Sequence, residues 1–393
     1  MDYPAGLHEV QVLDDSTDGS LAISERVVNE LRAAGKAVTL IHREKREGYK
    51  AGALAHGLTH TQAELVAIFD ADFLPPQDFL LRMVPQLMLL PKAAFIQSRW
   101  GHLNAKESLL TLAQSAHVDA HFYVQQHSRA AMDWLMNFNG SGGVWRVAAI
   151  QDAGGWQGDT LTEDLDLSHR AAMRGWTALY DDSVVVPAEL PNTWSAYRQQ
   201  QYRWAMGSTQ TLKKLLLPLW RSELTVMQKL IGTLHLGQYL VQPLLLLHCL
   251  LVPWWPMNSS LGGQVLMLGA LATALLPVMK RGRSRWSALP AMMLMGAGLA
   301  WTGTRAVVAA FAGKRVAFLR TPKAGAGLGK VGSITGEALL LVYAVGMLWL
   351  HGLTLLPSMA MHLTGNAFVC ALWWLEWKKK QTVEDVHAHR VVG

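Results

Sequence analysis

Two acidic groups follow apolar runs in this chain. Asp14 and Asp15 end the alternation Val10, Val12, Leu13, and Asp70 and Asp72 end the run AELVAIF. Each reads as a buried strand whose carboxyl end delivers carboxylates into a crevice, the place where open α/β sheets bind ligands. Carboxylates grouped at one sheet edge repel one another unless a cation sits among them. Hard divalent ions such as Mg²⁺ take oxygen ligands and share them with phosphates. An Asp-rich turn is the plainer reading of Asp-x-Asp alone; its pairing with Asp14 and Asp15 favours the metal site.

Other stretches add donors and a candidate base. REKREGYKAGAL, residues 43–54, sets basic residues and a glycine before a helix start. There Lys50 and the helix amides would face an anion, unless the stretch is only a solvated loop. NFNGSGGVWR, residues 137–146, has four small residues from Gly140 to Gly143, suited to a sharp turn or to close approach of a ligand. In DTLTEDLDL, residues 159–167, Thr162 is a helix cap followed by acids that the helix dipole favours. Asp164 is also placed to serve as a general base if it faces the crevice. YRQQQYRWAMGS, residues 197–208, combines Gln200, Arg203 and Trp204. These offer polar donors and a flat face for stacking on a sugar ring, or else an interfacial helix with a belt tryptophan.

The elements that must position these residues alternate. Strand 9–13, helix 20–34, strand 37–42, helix 50–58, strand 64–69, helix 78–89 and strand 93–98 predict a mostly parallel sheet covered by helices on both faces. The composition then changes. Of 393 residues 51% are apolar and 16% charged, and the apolar ones concentrate after about Leu230. Candidate membrane spans are Leu230–Val252, Leu261–Met279, Ala338–Leu356 and Met359–Trp377, each near the ~20 residues a bilayer core needs. Leu289–Ala312, apolar but carrying Arg305 and several glycines, reads as a re-entrant or interfacial helix. The net charge of +6 comes from basic residues beside these runs, such as Lys280, Arg281 and Lys378, and points to membrane flanks and not to nucleic acid. The same charge bias predicts a multi-pass membrane protein whose residues 1–225 face the cytoplasm. Cys249 and Cys370 lie inside apolar runs and read as buried hydrophobes.

The ordered set D-D, D-x-D, T-E-D and Q-x-x-R-W, followed by apolar helices, resembles the processive family 2 glycosyltransferases. That family includes bacterial cellulose synthase subunits and plant cellulose-synthase-like mannan and glucomannan synthases. The resemblance implies a Rossmann-like α/β GT-A domain over residues 1–225 that binds a nucleotide-sugar donor with Mg²⁺ or Mn²⁺ and lengthens a glycan acceptor. An α-helical transmembrane domain would follow: helices over 226–312, a cytosolic loop over 313–335, two helices over 336–380 and a tail over 381–393. It implies that Asp14, Asp15 and Lys50 contact the nucleotide, Asp70 and Asp72 hold the diphosphate and metal, and Asp164 with Glu163 activates the acceptor. Gln200 and Arg203 would bind the diphosphate and Trp204 the acceptor sugar. FLRTPKAG is similar to the family's gating loop, with Phe318, Thr321 and Lys323 matching and Thr321 and Lys323 reaching the donor. The expected activity is inverting transfer from UDP-glucose or GDP-mannose to a β-1,4-linked polysaccharide, in a bilayer and with accessory export subunits; the alternatives are a non-processive glycolipid-forming transferase and a truncated, inactive membrane partner. The family also has a strand and membrane helices before the equivalent of Glu9, so the resemblance implies a longer parent chain with an upstream start.

Overall fold

The computed structural model of the chain describes residues 1–254, 288–314, 332–352 and 356–392. The expected span Leu261–Met279 and the loop residues Phe318, Thr321 and Lys323 lie outside the described residues. Two compact units interleave along the sequence. The first comprises Met1–Gly101, Gln126–Pro187 and Gln210–His235; the second comprises His102–Gln125, Ala188–Thr209 and the described part of Leu236–Gly393.

The first unit opens with β1 (Val10–Asp14), α1 (Ser20–Ala33), β2 (Val38–His42) and α2 (Tyr49–Leu58). Strands β1 and β2 pair in parallel, Val10 opposite Val38 and Asp14 opposite His42. The chain continues through β3 (Leu65–Ile68), α3 (Phe79–Leu89) and β4 (Ala93–His102). After α4 (Leu109–Ala120) and a π-helical turn, His121–Gln126, come α5 (His127–Ala131), β5 (Gly143–Arg146), α6 (Val147–Asp152), α7 (Glu163–Met173) and β6 (Thr177–Ala188). Four strands form a second sheet in the order β3-β5-β4-β6.

That sheet departs from the mostly parallel one expected. Strand β5 lies between β3 and β4 and pairs antiparallel with both, Ile68 opposite Gly143 and Phe95 opposite Trp145. The reason is local. The glycine-rich run that reads as a turn reverses the chain and then enters the sheet at once, with Gly142 N donating to the Ile68 carbonyl at 2.8 Å. Asp14 and Asp70 therefore end strands of different sheets. Burial of large rings fixes the second sheet. Phe95 and Trp145 lie 4.6 Å apart by ring centroid and Phe138 and Trp145 5.7 Å, with Ile150, Trp156 and Leu167 completing the cluster.

The second unit is helical. It holds α4, the first part of α8 (Trp194–Arg221), and α10 (Val241–Leu251), α11 (Ala288–Gly298), α12 (Ala300–Phe311), α13 (Thr335–His351) and α14 (Leu356–Val392); α9 (Val226–Leu236) precedes it in the chain. Helix α11 packs on α4 and α14 around Leu110, Trp194, Met295 and Val369. Among the described residues no single helix is long and apolar enough to cross a membrane. Two bent pairs meet the length and composition of a span together: Val226–Leu236 with Gln238–Leu251, and Ala288–Gly298 with Ala300–Phe311, the latter bent by 45°. The expected span Leu230–Val252 is thus interrupted at Gly237 and by a 3-10 turn, Gln238–Leu240. Pro243 is accommodated in the first turn of α10, where backbone N–H groups lack intrahelical acceptors anyway. The expected span Ala338–Leu356 stops at His351, where Gly352 turns to φ 76°. Met359–Trp377 lies inside the longer α14. Cys249 is buried and Cys370 half-buried, both as free thiols.

Trp145 is fully buried at the centre of the aromatic cluster. Replacing it by Ala should cost about 3–5 kcal/mol, read as a lower denaturant midpoint at unchanged slope for the β-sheet signal.

Candidate active site

The candidate site grows from three turns of the first unit. At the end of β1 the two aspartates part company. Asp14 Oδ1 accepts from the Ser16 amide at 2.8 Å and from its hydroxyl, and Oδ2 accepts from Ser24 Oγ at 2.5 Å. Burial pushes its carboxyl up, but the Ser16 and Ser24 hydrogen bonds outweigh this and hold it below the ordinary range. Asp15 is clamped by Arg43, whose Nε donates to Oδ1 at 2.9 Å while Nη2 pairs with Oδ2.

Arg43 reaches further. Its Nη1 donates to the Glu47 carbonyl at 2.9 Å and its Nη2 to the Tyr49 carbonyl at 3.0 Å. The turn it grips needs Gly48 in the left-handed region, φ 68°, and Gly158 packs so tightly on it that a Cβ there would meet Gly48 Cα at 2.6 Å. Helix α2 starts at Tyr49, so this turn sets where Lys50 begins. Lys50 Nζ donates to Asp70 Oδ1 at 2.5 Å and to the Gly140 carbonyl at 2.8 Å. Burial disfavours its charge, but Asp70, Glu163 and Asp164 together raise its pKa. Asp72 stands half-buried in the same turn, which the Phe73 amide closes on the Asp70 carbonyl at 2.9 Å.

The glycine-rich loop is held by buried polar groups. Gln97, fully buried on β4, donates through Nε2 to the Ser141 and Gly142 carbonyls at 3.0 Å and accepts from the Asn139 amide at 2.9 Å. Trp100 Nε1 donates to the Ser141 carbonyl at 2.9 Å, and Ser141 Oγ accepts from the Asp70 amide at 2.9 Å. Gly140, at φ 81°, is where the loop passes the candidate base. A Cβ there would stand 2.9 Å from Asp164 Oδ2 and 3.5 Å from Lys50 Nζ. Asp164 keeps some accessible surface although dense protein surrounds it. Burial, and then the neighbouring Glu163 charge, lift its pKa to about 7 against the pull of Lys50. Its Oδ1 accepts from the Leu165 amide at 2.8 Å.

Lys50, Asp70, Gly140 and Asp164 therefore come together, with Glu163 buried beside them. Asp15 connects to the turn before Lys50 through Arg43, while Asp14 is held by Ser16 and Ser24. Gln200, Arg203 and Trp204 lie half-buried on α8 within the second unit, spaced to share one face of that helix. Thr321 and Lys323 fall outside the described residues. Arg43, Gln97, Trp100 and Ser141 escape a reading of the sequence. Their one signal is Gln97 and Ser98 interrupting an otherwise apolar strand, since buried polar groups need partners.

This arrangement offers a carboxylate able to take up a proton near neutral pH, next to a lysine that attracts anions. Asp70 and Asp72 supply hard oxygen ligands, which fit Mg²⁺ or Mn²⁺. Among the described residues no group of three or more His, Cys, Asp or Glu side chains could hold a metal ion.

A family model described as glycosyl transferase family group 2 matches residues 65–310, and one described as glycosyl transferase family 2 matches residues 4–122. The probable glucomannan 4-beta-mannosyltransferase 11 of Oryza sativa subsp. japonica is 44% identical over 225 residues, 56% of this chain and 39% of that protein. Glucomannan 4-beta-mannosyltransferase 2 of Arabidopsis thaliana is 42% identical over 228 residues, 57% of this chain and 42% of that protein. The chain spans about half the length, or less, of the curated relatives it matches. The structure of the mannosyltransferase PcManGT from Pyrobaculum calidifontis, in complex with GDP-Man and Mn²⁺, aligns at a TM-score of 0.53 and 20% identity, covering 80% of this chain and 81% of that one. The shared fold is the GT-A fold expected from the sequence.

Ionising Asp164 costs stability, because its folded pKa of about 7 lies above the ordinary 3.8. That cost is absent at pH values below the ordinary carboxylate range and complete once the pH has risen through about 7. Asp164→Asn, which can still accept from the Leu165 amide, should therefore melt higher than the parent protein at pH 8, with the gap narrowing as the pH falls and closing only below the ordinary carboxylate range. A melting difference independent of pH would contradict the assignment.

Proposed function

Because the chain belongs to glycosyl transferase family group 2, we propose that it transfers mannose from GDP-mannose to the end of a β-1,4-linked glycan, inverting the anomeric centre, with UDP-glucose the second candidate donor. The observation that carries this reading is the Asp164 carboxylate, with a pKa near neutrality, set beside Gly140 and Lys50. A base of that kind is suited to a sugar hydroxyl, since general bases work best when their pKa lies near the working pH. The names of the curated relatives favour mannose and a 4-linkage.

In this mechanism Asp164 takes the proton of the acceptor hydroxyl as its oxygen bonds to the anomeric carbon. The bond from that carbon to the donor diphosphate breaks, and the diphosphate leaves with the electron pair. Lys50 neutralises part of the charge that develops, and Glu163 keeps the Asp164 carboxylate basic. A divalent ion held by Asp70 and Asp72 would supply the remaining charge neutralisation. Asp14 binds the nucleotide, and Asp15 acts through Arg43 by fixing the turn that carries Lys50. Gln200 and Arg203 bind the diphosphate, Trp204 stacks on the acceptor sugar, and Thr321 and Lys323 close over the donor. A single displacement on an α-linked donor gives a β-linked product. The two bent helix pairs and the apolar α13 suit a bilayer-embedded enzyme whose product leaves through the membrane with export partners.

The test is transfer by the detergent-purified protein with Mn²⁺ or Mg²⁺, screening GDP-mannose and UDP-glucose and sizing the product. Transfer should rise with pH through about 7, as Asp164 loses its proton. Asp164→Asn should lower kcat by about 10²–10⁴-fold. Full transfer by that variant, or turnover of neither donor, would overturn the reading.

A further inference from the structure

The segment that leads into α7 carries more charge than a base and its neighbour require. Asp166, two residues beyond Asp164, is completely buried. Its Oδ2 accepts from Arg170 Nε at 2.8 Å, and its Oδ1 lies 2.9 Å from Lys214 Nζ. Lys214 also donates to Gln157 Oε1 at 2.7 Å and to Asp159 Oδ1 at 2.8 Å. One turn before Lys214 on the same helix, Gln210 Oε1 accepts from the Leu161 amide at 3.0 Å, and the Thr211 and Thr162 hydroxyls meet at 3.2 Å. Arg170 ties the other side, with Nη2 donating to the Gly155 carbonyl at 2.9 Å and Nη1 to Ala153.

We propose that Lys214 is a positioning residue for Asp164: by clamping Gln157, Asp159 and Asp166 to α8 it fixes the segment 157–166, and with it the Asp164 carboxylate beside Gly140 and Lys50. The chemistry favours a specific clamp over generic stabilisation. Asp166 is completely buried with a cation against each oxygen, Arg170 on Oδ2 and Lys214 on Oδ1. Lys214 donates to Gln157 and Asp159 and ion-pairs with Asp166, and all three lie on the one segment that carries the base. The Asp164 carboxylate accepts from the Leu165 amide, so its aim depends on where that backbone is held. The inference rests on Asp164 being the base.

The test uses the full chain with Lys214→Met and Lys214→Arg. Amide hydrogen exchange by mass spectrometry should speed up at least tenfold in peptides spanning 157–166 for Lys214→Met and return toward the parent rate for Lys214→Arg. In the transfer assay Lys214→Met should lower kcat by about ten- to a hundredfold while the donor KM stays unchanged, with Lys214→Arg restoring most of the loss. Unchanged exchange in Lys214→Met overturns the clamp. Faster exchange with full kcat overturns the link to Asp164, and so does a parallel loss of donor affinity and global stability. If the parent protein turns over no donor, the functional reading fails, and the exchange result still decides the clamp.

Discussion

Lys50 Nζ touches an Asp70 oxygen and the Gly140 carbonyl at once, and Glu163 and Asp164 both act on its charge. Three acids from two distant segments thus share one ammonium. Without it, Asp70 on one turn and Glu163 and Asp164 on another would crowd like charges around a glycine-rich loop. Such a cluster takes up protons, because each carboxylate disfavours the ionised form of its neighbours. The same contact explains why the loop is shaped as it is. The lysine reaches the Gly140 carbonyl only because residue 140 takes a left-handed conformation, and the space a side chain would fill lies against Asp164. Electrostatics and backbone geometry are one constraint here.

That constraint propagates outward through groups that never face a ligand. Arg43 fixes the start of α2 and so the base of the Lys50 side chain. Gln97 and Trp100 fix the loop from below, through its carbonyls. The aromatic cluster of Phe95, Phe138 and Trp145 keeps β4 and β5 adjacent, and without that adjacency Gln97 could not span Asn139 and Ser141. A buried amide making this many hydrogen bonds costs little when all are satisfied and much when one is lost. The loop should therefore keep or lose its shape as a unit.

Much of the site was legible in the sequence because strand-end acids, a lysine at a helix start and a glycine run are local signals. The alternating pattern of Val10, Val12 and Leu13 gives β1, and AELVAIF gives β3. Strand β5 was not legible. A four-residue strand emerging from NFNGSGG carries no periodicity long enough to read, and its antiparallel insertion depends on pairing with residues 46 to 81 positions away. The continuous span Leu230–Val252 failed for a related reason. Hydropathy sums over a window and does not register the break that Gly237 and the 3-10 turn impose. Arg43, Gln97 and Lys214 escaped notice because each acts through contacts set by the tertiary fold.

The acids themselves show a rule that composition hides. Asp14 and Asp15 are neighbours, yet Asp15 is locked by a guanidinium while Asp14 is held by serine hydroxyls. Asp164 and Asp166 repeat the division: Asp166 is enclosed by Arg170 and Lys214, while a backbone amide and the nearby Lys50 are what steady Asp164. In each pair one carboxylate is neutralised by a cation from the scaffold and fixes the chain, and this leaves the other aimed with its chemistry unspent. A bidentate arginine takes one lone pair on each carboxylate oxygen and offsets the charge, whereas a carboxylate held by neutral donors keeps its full charge. The D-D of the opening strand and the T-E-D-L-D before α7 thus share one plan, in which one acid of each pair is gripped by scaffold cations and the other is held by other donors.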